Sequence, residues 1–380
     1  MVEAERQLLE AAGITVHQVL FDNAELGDSR SLAGDLGLAA SAIWSRSAER
    51  QVRAAVTAHR PDVVHVHNTF VAASPSVYAA ASGVPVVQTL HNYRLVCPVA
   101  TAFRDGQACT DCVGRFVPWP AVAHACVHGS RSQSAVAATT IAAHRALGTY
   151  RRRISRYVAL TSFQRQLMID GGLPAERIGE IPNFLEPDPG IGEGPRSGIL
   201  YVGRLAEEKG VRVLLEAAAA RPGSGQPAAA IRVAGDGPLR HLAEQAAAAG
   251  QIDYLGPIGP SSVFDELRRS TAMVAPSIWF EGFPLTVLEA FATGTPVIAS
   301  RIGSLGEIIE DGITGTLTES HDAHRLAEKM DWAASHAEEM DQMGRRARRH
   351  YETRFRGPTH LAALLDTYLA ARERDRSSVA

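Results

Sequence analysis

The chain has almost no lysine. Lys209 and Lys329 are the only two lysines among 380 residues, whereas arginine and alanine are abundant. We attribute this bias to the codon usage of a GC-rich genome, which makes it no evidence for a function. It nevertheless draws attention to Lys209, because this lysine follows a strand-like segment and a glycine.

Long apolar runs and a strong net charge are also absent. No apolar run approaches the ~20 residues that span a bilayer, and the N-terminus MVEAERQLLEAAG is charged and amphipathic, unlike a signal peptide. The formal net charge of −3 gives no general attraction to nucleic acid. We therefore expect a cytoplasmic protein, either free or at the inner face of the membrane, without a nucleic-acid partner.

Short β-branched segments alternate with helical stretches rich in Ala, Leu and Glu, which is typical of a doubly wound α/β architecture. The apolar strands predict parallel sheets covered on both faces. The Pro- and Gly-rich segment Asn183–Gly198 predicts a linker between two halves, with a cleft at the carboxyl ends of their strands. The predicted strands are Thr15–Leu20, Val63–His67, Val86–Leu90, Tyr157–Leu160, Gly179–Ile181, Gly198–Val202, Ala230–Ala234, Ile252–Leu255, Ala272–Ala275 and Pro296–Ala299.

The segment Gly203–Gly210, GRLAEEKG, lies between a predicted strand and a predicted helix over 211–220. Glycine lets the backbone approach a phosphate closely. Arg204 can bind two phosphate oxygens at once, and Lys209 adds a point charge. Taken alone, this segment is equally compatible with a solvated loop.

The segment Glu281–Gly294, EGFPLTVLEAFATG, predicts a helix with Pro284 at its first position and Gly294 at its C-terminal cap. The helix N-terminus could face an anion. Glu281 precedes the helix, and Glu289 lies one turn after Leu285 on the same face. Two carboxylates so placed could hold hydroxyl groups on either side of a diphosphate, although a helix start with two ordinary glutamates has the same pattern.

Several segments in order resemble glycosyltransferase family 4, the retaining enzymes of the GT-B fold. EGFPLTVLEAFATGTPVIAS resembles the family's E-x7-E motif, and YVGRLAEEKGVRVLLEA, VAGDGPLR, YLGPI and GITGTLT fit at suitable distances. In the N-terminal half the matching segments are PDVVHVHNTFVAASPSVY, GVPVVQTLHNYRLVCP and RYVALTSFQRQLM. The resemblance covers nearly the whole chain.

The resemblance implies two Rossmann-like domains facing across a cleft and transfer of a hexose-type sugar from a UDP- or GDP-linked donor. The acceptor would be a hydroxyl of a glycan, a lipid-linked molecule or a small molecule, and catalysis would need no cofactor. Residues 1–185 would bind the acceptor, residues 186–355 would bind the donor, and residues 356–380 would form a helix that returns to the N-terminal domain.

The resemblance also implies roles for individual residues. Arg204 and Lys209 would stabilise the leaving diphosphate, Glu281 would contact the donor sugar, and Glu289 would hold the ribose. His91 would face the reacting sugar, with His67 and Asn68 also on the acceptor side. The remaining expected donor contacts are Gly203, Gly235, Gly237, Leu255, Gly282, Phe283, Leu285 and Thr286.

Two features of the N-terminal half depart from the family. The family opens with a strand and a glycine-rich loop, whereas this chain opens with a predicted helix over 3–12, so we expect the first strand to be missing. The four cysteines, Cys97, Cys109, Cys112 and Cys126, have spacing suited to a structural zinc, or they are four small buried residues in an insertion.

A run of arginines, namely Arg145, Arg151, Arg152, Arg153 and Arg156, predicts a basic helix face. A solvated surface is the favoured interpretation, and contact with anionic lipid or a lipid-phosphate acceptor is the alternative.

Three other functions compete with glycosyl transfer. A donor-binding remnant without catalysis would bind a nucleotide sugar and not turn it over. A GT-B epimerase or phosphorylase would lack the GRLAEEKG and E-x7-E pairing. A nicotinamide oxidoreductase is disfavoured because no G-x-G-x-x-G follows a first strand, and AGDGP alone is a weak signal.

Overall fold

The computed structural model describes residues 1–22, 32–69, 72–221 and 230–379. Phe70 and Val71, within one of the segments that carry the family resemblance, lie outside the described residues. The chain forms two compact units, the first made of Met1–Ala102, Cys109–Ile181 and Leu361–Ala380 and the second of Phe103–Ala108 and Pro182–His360.

The strands are β1 Val64–His67, β2 Val86–Thr89, β3 Phe103–Arg104, β4 Gln107–Ala108, β5 Arg156–Ala159, β6 Ile178–Glu180, β7 Ile199–Val202, β8 Ile231–Ala234, β9 Asp253–Gly256, β10 Ala272–Ala275, β11 Val297–Ser300 and β12 Gly315–Thr318. The helices are α1 Val2–Ala11, α2 Leu32–Ile43, α3 Arg46–His59, α4 Ser76–Ala80, α5 Trp119–Ala123, α6 Arg131–Ala146, α7 Thr149–Arg152, α8 Ser162–Asp170, α9 Val211–Ala220, α10 Arg240–Ala248, α11 Pro260–Arg269, α12 Leu285–Ala292, α13 Leu305–Ile308, α14 Ala323–Ser335, α15 Ala337–Arg354 and α16 Gly357–Val379.

The second unit contains a parallel six-stranded sheet in the order β12-β11-β10-β7-β8-β9. The chain starts in the middle with β7, runs outward through β8 and β9, then returns to place β10 on the other side of β7. This change of direction is the topological switch point at which open parallel sheets bind ligands. Ile199, Leu214, Val233 and Met330 belong to the core that covers this sheet.

The first unit contains a smaller parallel sheet in the order β1-β2-β5-β6. Leu9 of α1 and Leu364 and Ala371 of α16 pack with Val87 and Val158 of this sheet in one hydrophobic cluster. The C-terminal helix is therefore part of the core of the first unit, because burying its apolar side chains there removes them from water.

The predicted strand Thr15–Leu20 is wrong: residues 14–22 form neither helix nor strand. Strand backbone groups need a hydrogen-bonding partner, and β1 is the edge strand of the described sheet next to which no further strand pairs. Ile14 and Val16 still pack against the cluster around Leu9, whereas Leu20 is 74% exposed. The apolar alternation of this segment therefore reflects partial burial rather than strand pairing.

The other nine predicted strands are confirmed to within one or two residues, as is the helix over 211–220. Pro284 is the N-cap of α12 rather than its first residue. The C-terminal helix expected over residues 356–380 is α16, which begins at Gly357 and is separated from α15 by Phe355 and Arg356. Sequence analysis did not predict β12 or the β3–β4 hairpin.

Truncating Leu364 should test the place of α16 in the first core. Leu364 is 1% exposed, so Leu364→Ala should lower the free energy of unfolding by about 2–5 kcal/mol, as for other buried leucines. The matched control is Leu369→Ala on the same helix, because Leu369 is 55% exposed and should change stability by less than about 0.5 kcal/mol. Urea unfolding measures both, and equal losses would contradict this packing.

Candidate functional site

The expected donor residues of the second unit lie at the carboxyl edge of its sheet. Gly203 follows β7, Gly235 follows β8, and the loop that contains Glu281 follows β10. Because β7 and β10 are neighbours at the switch point, the loops that follow them emerge side by side. The spacing of 72 residues between Lys209 and Glu281 is closed by this strand pairing.

The two loops approach each other closely at Gly210. This glycine has a φ of +68°, and a Cβ placed on it would lie 1.8 Å from the carbonyl oxygen of Pro276. Any side chain here would therefore push the loop after β10 away from the start of α9. The amide of Ile278 also donates to the carbonyl of Glu208 at 3.0 Å, so the backbone itself holds the two loops together.

Lys209 and Glu281 form an ion pair in this position. Nζ of Lys209 lies 2.8 Å from Oε1 and 3.0 Å from Oε2 of Glu281, and the hydroxyl of Ser277 donates to Oε1 at 2.7 Å. Glu281 is only 5% exposed, while the ammonium group also lies 5.3 Å from the ring centre of Trp279. The site thus holds a cation above a buried, hydrogen-bonded carboxylate.

Arg204 lies in the same loop as Lys209 but is held differently. Its side chain is 66% exposed, and Nη1 is 3.9 Å from Oε1 of Glu208. Its backbone carbonyl accepts a hydrogen bond of 2.8 Å from the hydroxyl of Tyr201. The main chain of Arg204 is therefore anchored, and the guanidinium group is accessible to a ligand.

The glycines after β7 and β8 allow their backbones to pack directly on each other. A Cβ on Gly235 would lie 1.9 Å from the carbonyl oxygen of Gly203, and one on Gly237 would lie 2.4 Å from that of Leu205. The amide of Gly235 donates to the carbonyl of Gly256 at 2.9 Å, directly after the half-buried Leu255 in β9. Three successive loops are thereby joined through their main chains at one edge.

The N-terminus of α12 lies immediately after Glu281. Pro284 is the N-cap and makes no capping hydrogen bond from its side chain. The first amides of a helix have no partner within the helix, so those of Leu285 and Thr286 can serve a ligand. Phe283 is buried and stacks edge-to-face on Phe355 at 5.6 Å, which fixes the turn through Gly282.

Glu289 lies on α12 and is largely enclosed. Burial raises the pKa of its carboxyl group above the ordinary value, because desolvation disfavours the charged form. The fold therefore keeps a carboxyl group at a place where its ionisation is costly, which is common at functional sites.

In the first unit the expected residues His67, Asn68 and His91 come together at the carboxyl ends of β1 and β2. Nδ1 of His67 lies 2.9 Å from Nε2 of His91, and the side-chain Nδ2 of Asn92 donates to Oδ1 of Asn68 at 2.9 Å. Burial first, and then the neighbouring His67, lower the pKa of His91 to about 4. His91 is therefore neutral at neutral pH.

All four cysteines are free thiols. Burial, followed by the other three thiols, raises the pKa of Cys112 to about 12, and burial raises that of Cys97. Within the described residues, the group of three or more side chains whose ligand atoms lie within 4.8 Å of one another does not include a cysteine. The cysteines are neighbours, but their sulfur atoms do not form a closed ligand set.

The predicted basic face is not uniform. Arg145 donates to the carbonyls of Leu95 at 3.3 Å and Gly171 at 3.1 Å, and burial lowers its pKa. Arg145 therefore fastens neighbouring loops, while Arg151, Arg152 and Arg153 are exposed.

A cavity of about 600 Å³ lies elsewhere in the second unit, and none of the expected donor residues lines it. Its walls include Ile191, Arg196, Met340 and Arg345. The candidate site is instead the carboxyl edge of the sheet, where Lys209, Glu281 and the first amides of α12 lie.

Sequence analysis missed several residues of both sites. Ser277 and Trp279 lie just before the segment EGFPLTVLE, and their proximity to it was the available signal. Glu5 of α1 lies one turn before the buried Leu9, so a glutamate on the apolar face of a helix was the signal there.

Comparison with known proteins gives two family models in chain order. The glycosyl transferase 4-like domain matches residues 3–183, and the glycosyl transferases group 1 model matches residues 191–350. A glycogen synthase of Mycobacterium tuberculosis is 29% identical over 326 residues, which are 83% of this chain and 70% of the relative. A D-inositol 3-phosphate glycosyltransferase of Corynebacterium glutamicum is 34% identical over 165 residues, 41% of this chain and 39% of that protein.

Solved structures show the same fold. Sucrose-phosphate synthase of Thermosynechococcus elongatus has a TM-score of 0.69 at 16% identity, covering 97% of this chain and 91% of that one. HepE of Anabaena in complex with UDP has a TM-score of 0.63 at 17% identity, covering 95% and 88%. No helix in the described ranges is both long and apolar enough to cross a membrane.

Two glycosyltransferase models matched in chain order, on two units that each contain a parallel sheet, identify the chain as a glycosyltransferase with the GT-B fold.

Proposed function

We propose that the chain is a retaining enzyme of glycosyltransferase family 4 that transfers a hexose-type sugar from a UDP- or GDP-linked donor to a hydroxyl acceptor. The observation that carries this proposal is the Lys209–Glu281 pair, which lies at the switch point of the second sheet and beside the N-terminus of α12. A site that pairs a cation, a carboxylate and unpaired helix amides suits a ligand with both a diphosphate and hydroxyl groups.

The proposed donor contacts follow from the geometry of the second unit. The amides of Leu285 and Thr286, the guanidinium group of Arg204 and the ammonium group of Lys209 supply positive charge for the diphosphate. Glu281 accepts hydrogen bonds from hydroxyls of the sugar, and Glu289 accepts them from the ribose. The main chain around Leu255, Gly235 and Gly237 borders the base.

The proposed reaction breaks the bond between the anomeric carbon and the diphosphate oxygen, and the electron pair leaves with the diphosphate. The acceptor oxygen bonds to the anomeric carbon on the same face, and its proton passes to the departing phosphate oxygen. Lys209 and Arg204 stabilise the charge that develops on the leaving group. The acceptor is a glycan, a lipid-linked molecule or a small molecule, and the first unit contributes His91, His67 and Asn68.

Replacing Lys209 should remove turnover without unfolding the protein. Lys209→Met should lower kcat by about 10²–10³-fold, as the loss of a charge-stabilising group does elsewhere. Lys329→Met is the matched control, since it replaces the one other lysine of the chain and should retain activity. Release of nucleoside diphosphate from a radiolabelled donor measures the effect, and near-normal turnover would reject the assignment.

Because Lys209→Met removes the cation beside the buried Glu281, the effect of this substitution on stability must be separated from its effect on turnover. Removing one partner of a buried pair costs about 3–5 kcal/mol. The double variant Lys209→Met/Glu281→Gln removes both charges and should recover most of the lost stability while staying inactive. Recovery of activity together with stability would show that the pair is structural.

Glu289→Gln should stabilise the protein and weaken donor binding. Its raised pKa means that ionisation is disfavoured in the folded state, so the penalty is absent below the unfolded-state pKa of about 4.3 and grows as pH rises through the folded value. The variant should therefore have a higher Tm at pH 7–8 and an unchanged Tm near pH 4. Donor affinity should fall by about 1.5–3 kcal/mol, the contribution of a hydrogen bond to a charged group.

The exposed Glu339 of α15 is the control for this prediction, and Glu339→Gln should change neither quantity. Thermal unfolding across pH and calorimetric donor titration are the two measurements. An equal Tm for Glu289→Gln and the parent at pH 8 would contradict the burial argument, whatever the donor affinity.

The alternative of a donor-binding remnant without catalysis is disfavoured, because family models match residues 3–183 and 191–350, and donor turnover tests it directly. Thermal-shift measurements against UDP- and GDP-sugars identify the donor, because a ligand at 100 times its Kd stabilises by about 2.7 kcal/mol. A donor that stabilises the protein but is neither transferred nor hydrolysed would favour the remnant.

We also propose a structural zinc bound by Cys97, Cys109, Cys112 and Cys126. The support is their grouping within 30 residues of the sequence and the electrostatic coupling of the Cys112 thiol to the other three. Zinc would bind them as thiolates and draw the sulfur atoms together.

Elemental analysis of the purified chain should find about one zinc per chain for a four-thiolate site. Cys109→Ser/Cys112→Ser should lose this metal and lower the Tm. A folded parent protein without zinc, whose Tm does not respond to added zinc, would end the proposal.

A further inference from the structure

The first unit contains a buried carboxylate that contacts two histidines. Glu5 of α1 is 4% exposed, and its Oε1 lies 3.1 Å from Nδ1 of His65 and 3.3 Å from Nε2 of His67. His65 and His67 are two residues apart on β1, so both side chains project from the same face of the strand. The pairing thus depends on α1 covering that face.

The contact continues from His67 to His91, which follows β2. The two rings lie 5.2 Å apart at an angle of 27°, with Nδ1 of His67 at 2.9 Å from Nε2 of His91. β1 and β2 pair in parallel, and His67 is in register with Thr89. Glu5, His67 and His91 are therefore linked by polar contacts of 3.3 Å and 2.9 Å across three elements.

Which group donates and which accepts in the contacts among Glu5, His67 and His91 follows from the chemistry of Glu5. A carboxyl group ordinarily gives up its proton at a lower pH than an imidazole, so the carboxylate accepts and Nε2 of His67 donates. If His67 carries a single proton, its Nδ1 is an acceptor, which requires Nε2 of His91 to carry the proton. A neutral His91 with its proton on Nε2 has an unprotonated Nδ1.

His65 contacts the same carboxylate oxygen of Glu5 as His67 does. Its Nδ1 also lies 2.8 Å from the hydroxyl of Tyr368 in α16, and its Nε2 lies 2.8 Å from the hydroxyl of Thr89. The orientation of Glu5 is therefore fixed by the first sheet and by the C-terminal helix together. A carboxylate that cannot rotate keeps His67 in one tautomer.

We infer that Glu5 and His67 are positioning residues that fix the tautomer of His91, so that His91 offers Nδ1 as a hydrogen-bond acceptor to a ligand hydroxyl. No partner of Nδ1 is found among the described residues. A sugar or acceptor hydroxyl is a donor of the matching kind. The ligand part of this inference rests on the proposed function, whereas the tautomer part does not.

The tautomer can be measured without any activity assay. Ring ¹⁵N shifts distinguish protonated from unprotonated imidazole nitrogens, and His91→Asn assigns the His91 signals. In the full chain at neutral pH we expect Nε2 of His91 to be protonated and Nδ1 to be bare. Glu5→Gln should give a mixture of tautomers, because an amide can donate to or accept from His67.

The matched control is Glu10→Gln on the same helix, since Glu10 is solvent-exposed and pairs with Arg6. Its His91 spectrum should match that of the parent chain. A His91 that is protonated on Nδ1 in the parent, or that keeps one tautomer in a folded Glu5→Gln variant, would overturn the inference.

Kinetics then test whether the tautomer matters for transfer. Glu5→Gln and His67→Asn should each lower kcat/KM by about 10²-fold, the usual scale of a mispositioned group at a reaction centre, while Glu10→Gln stays at the parent value. A change of the His91 tautomer with unaltered kcat/KM would reject the proposed role of His91 toward a ligand. It would still support the positioning of His91 by Glu5 and His67. Absence of transfer by the parent chain would instead count against the proposed function. The ring spectra would still show whether Glu5 and His67 fix the tautomer of His91.

A metal ion is the alternative occupant of this cluster. The ligand atoms of Glu5, His65 and His67 lie within 4.8 Å of one another. An ion on Nε2 of His67 would leave the proton of His67 on its Nδ1. Nδ1 of His67 would then donate to Nε2 of His91, and the proton of His91 would lie on Nδ1 of His91. Chelator-treated protein titrated with Zn²⁺ should keep the His91 proton on Nε2. A shift of this proton to Nδ1 at one equivalent of Zn²⁺ would overturn the inference in favour of a metal site.

Discussion

The proposed donor site of this glycosyltransferase depends on the close approach of two loops that are distant in sequence. The loop after β7 and the loop after β10 meet because their strands pair at the switch point, and Gly210 permits the contact by having no Cβ. This contact places an ammonium group on a buried carboxylate. Without it, the buried carboxylate of Glu281 would lose its contact with Lys209, and separating a buried charge from its partner is strongly unfavourable.

Two features at the same edge of the sheet disfavour the free protein and fit the proposed donor site. Glu289 is enclosed although its ionised form is disfavoured there, and the first amides of α12 have no capping side chain. Each of these features lowers the stability of the free protein, and a ligand with hydroxyl and phosphate groups would compensate both. Sites selected for binding are commonly less stable than the fold permits.

In the first unit, burial and neighbouring side chains keep a neutral histidine in one orientation. Burial holds His91 in its uncharged form. The contacts of His67 with His91 and with Glu5 orient the ring of His91 and fix its tautomer. Helix α16 contributes to this arrangement twice, through Leu364 in the core and through the hydroxyl of Tyr368 beside His65. A change in the C-terminal helix would therefore reach the histidines of the first sheet.

The sequence by itself determined the parallel α/β character, nine of the ten predicted strands, and the identity of Lys209, Glu281 and Glu289 as candidates, because these follow from local periodicity and from motif spacing. Tertiary structure decided the rest. Thr15–Leu20 has the alternation of a strand but pairs with none of the described strands, and Glu5 acquires its role only through contacts with residues distant in sequence. Local pattern reports which face of a segment is buried; only packing determines what that face is buried against.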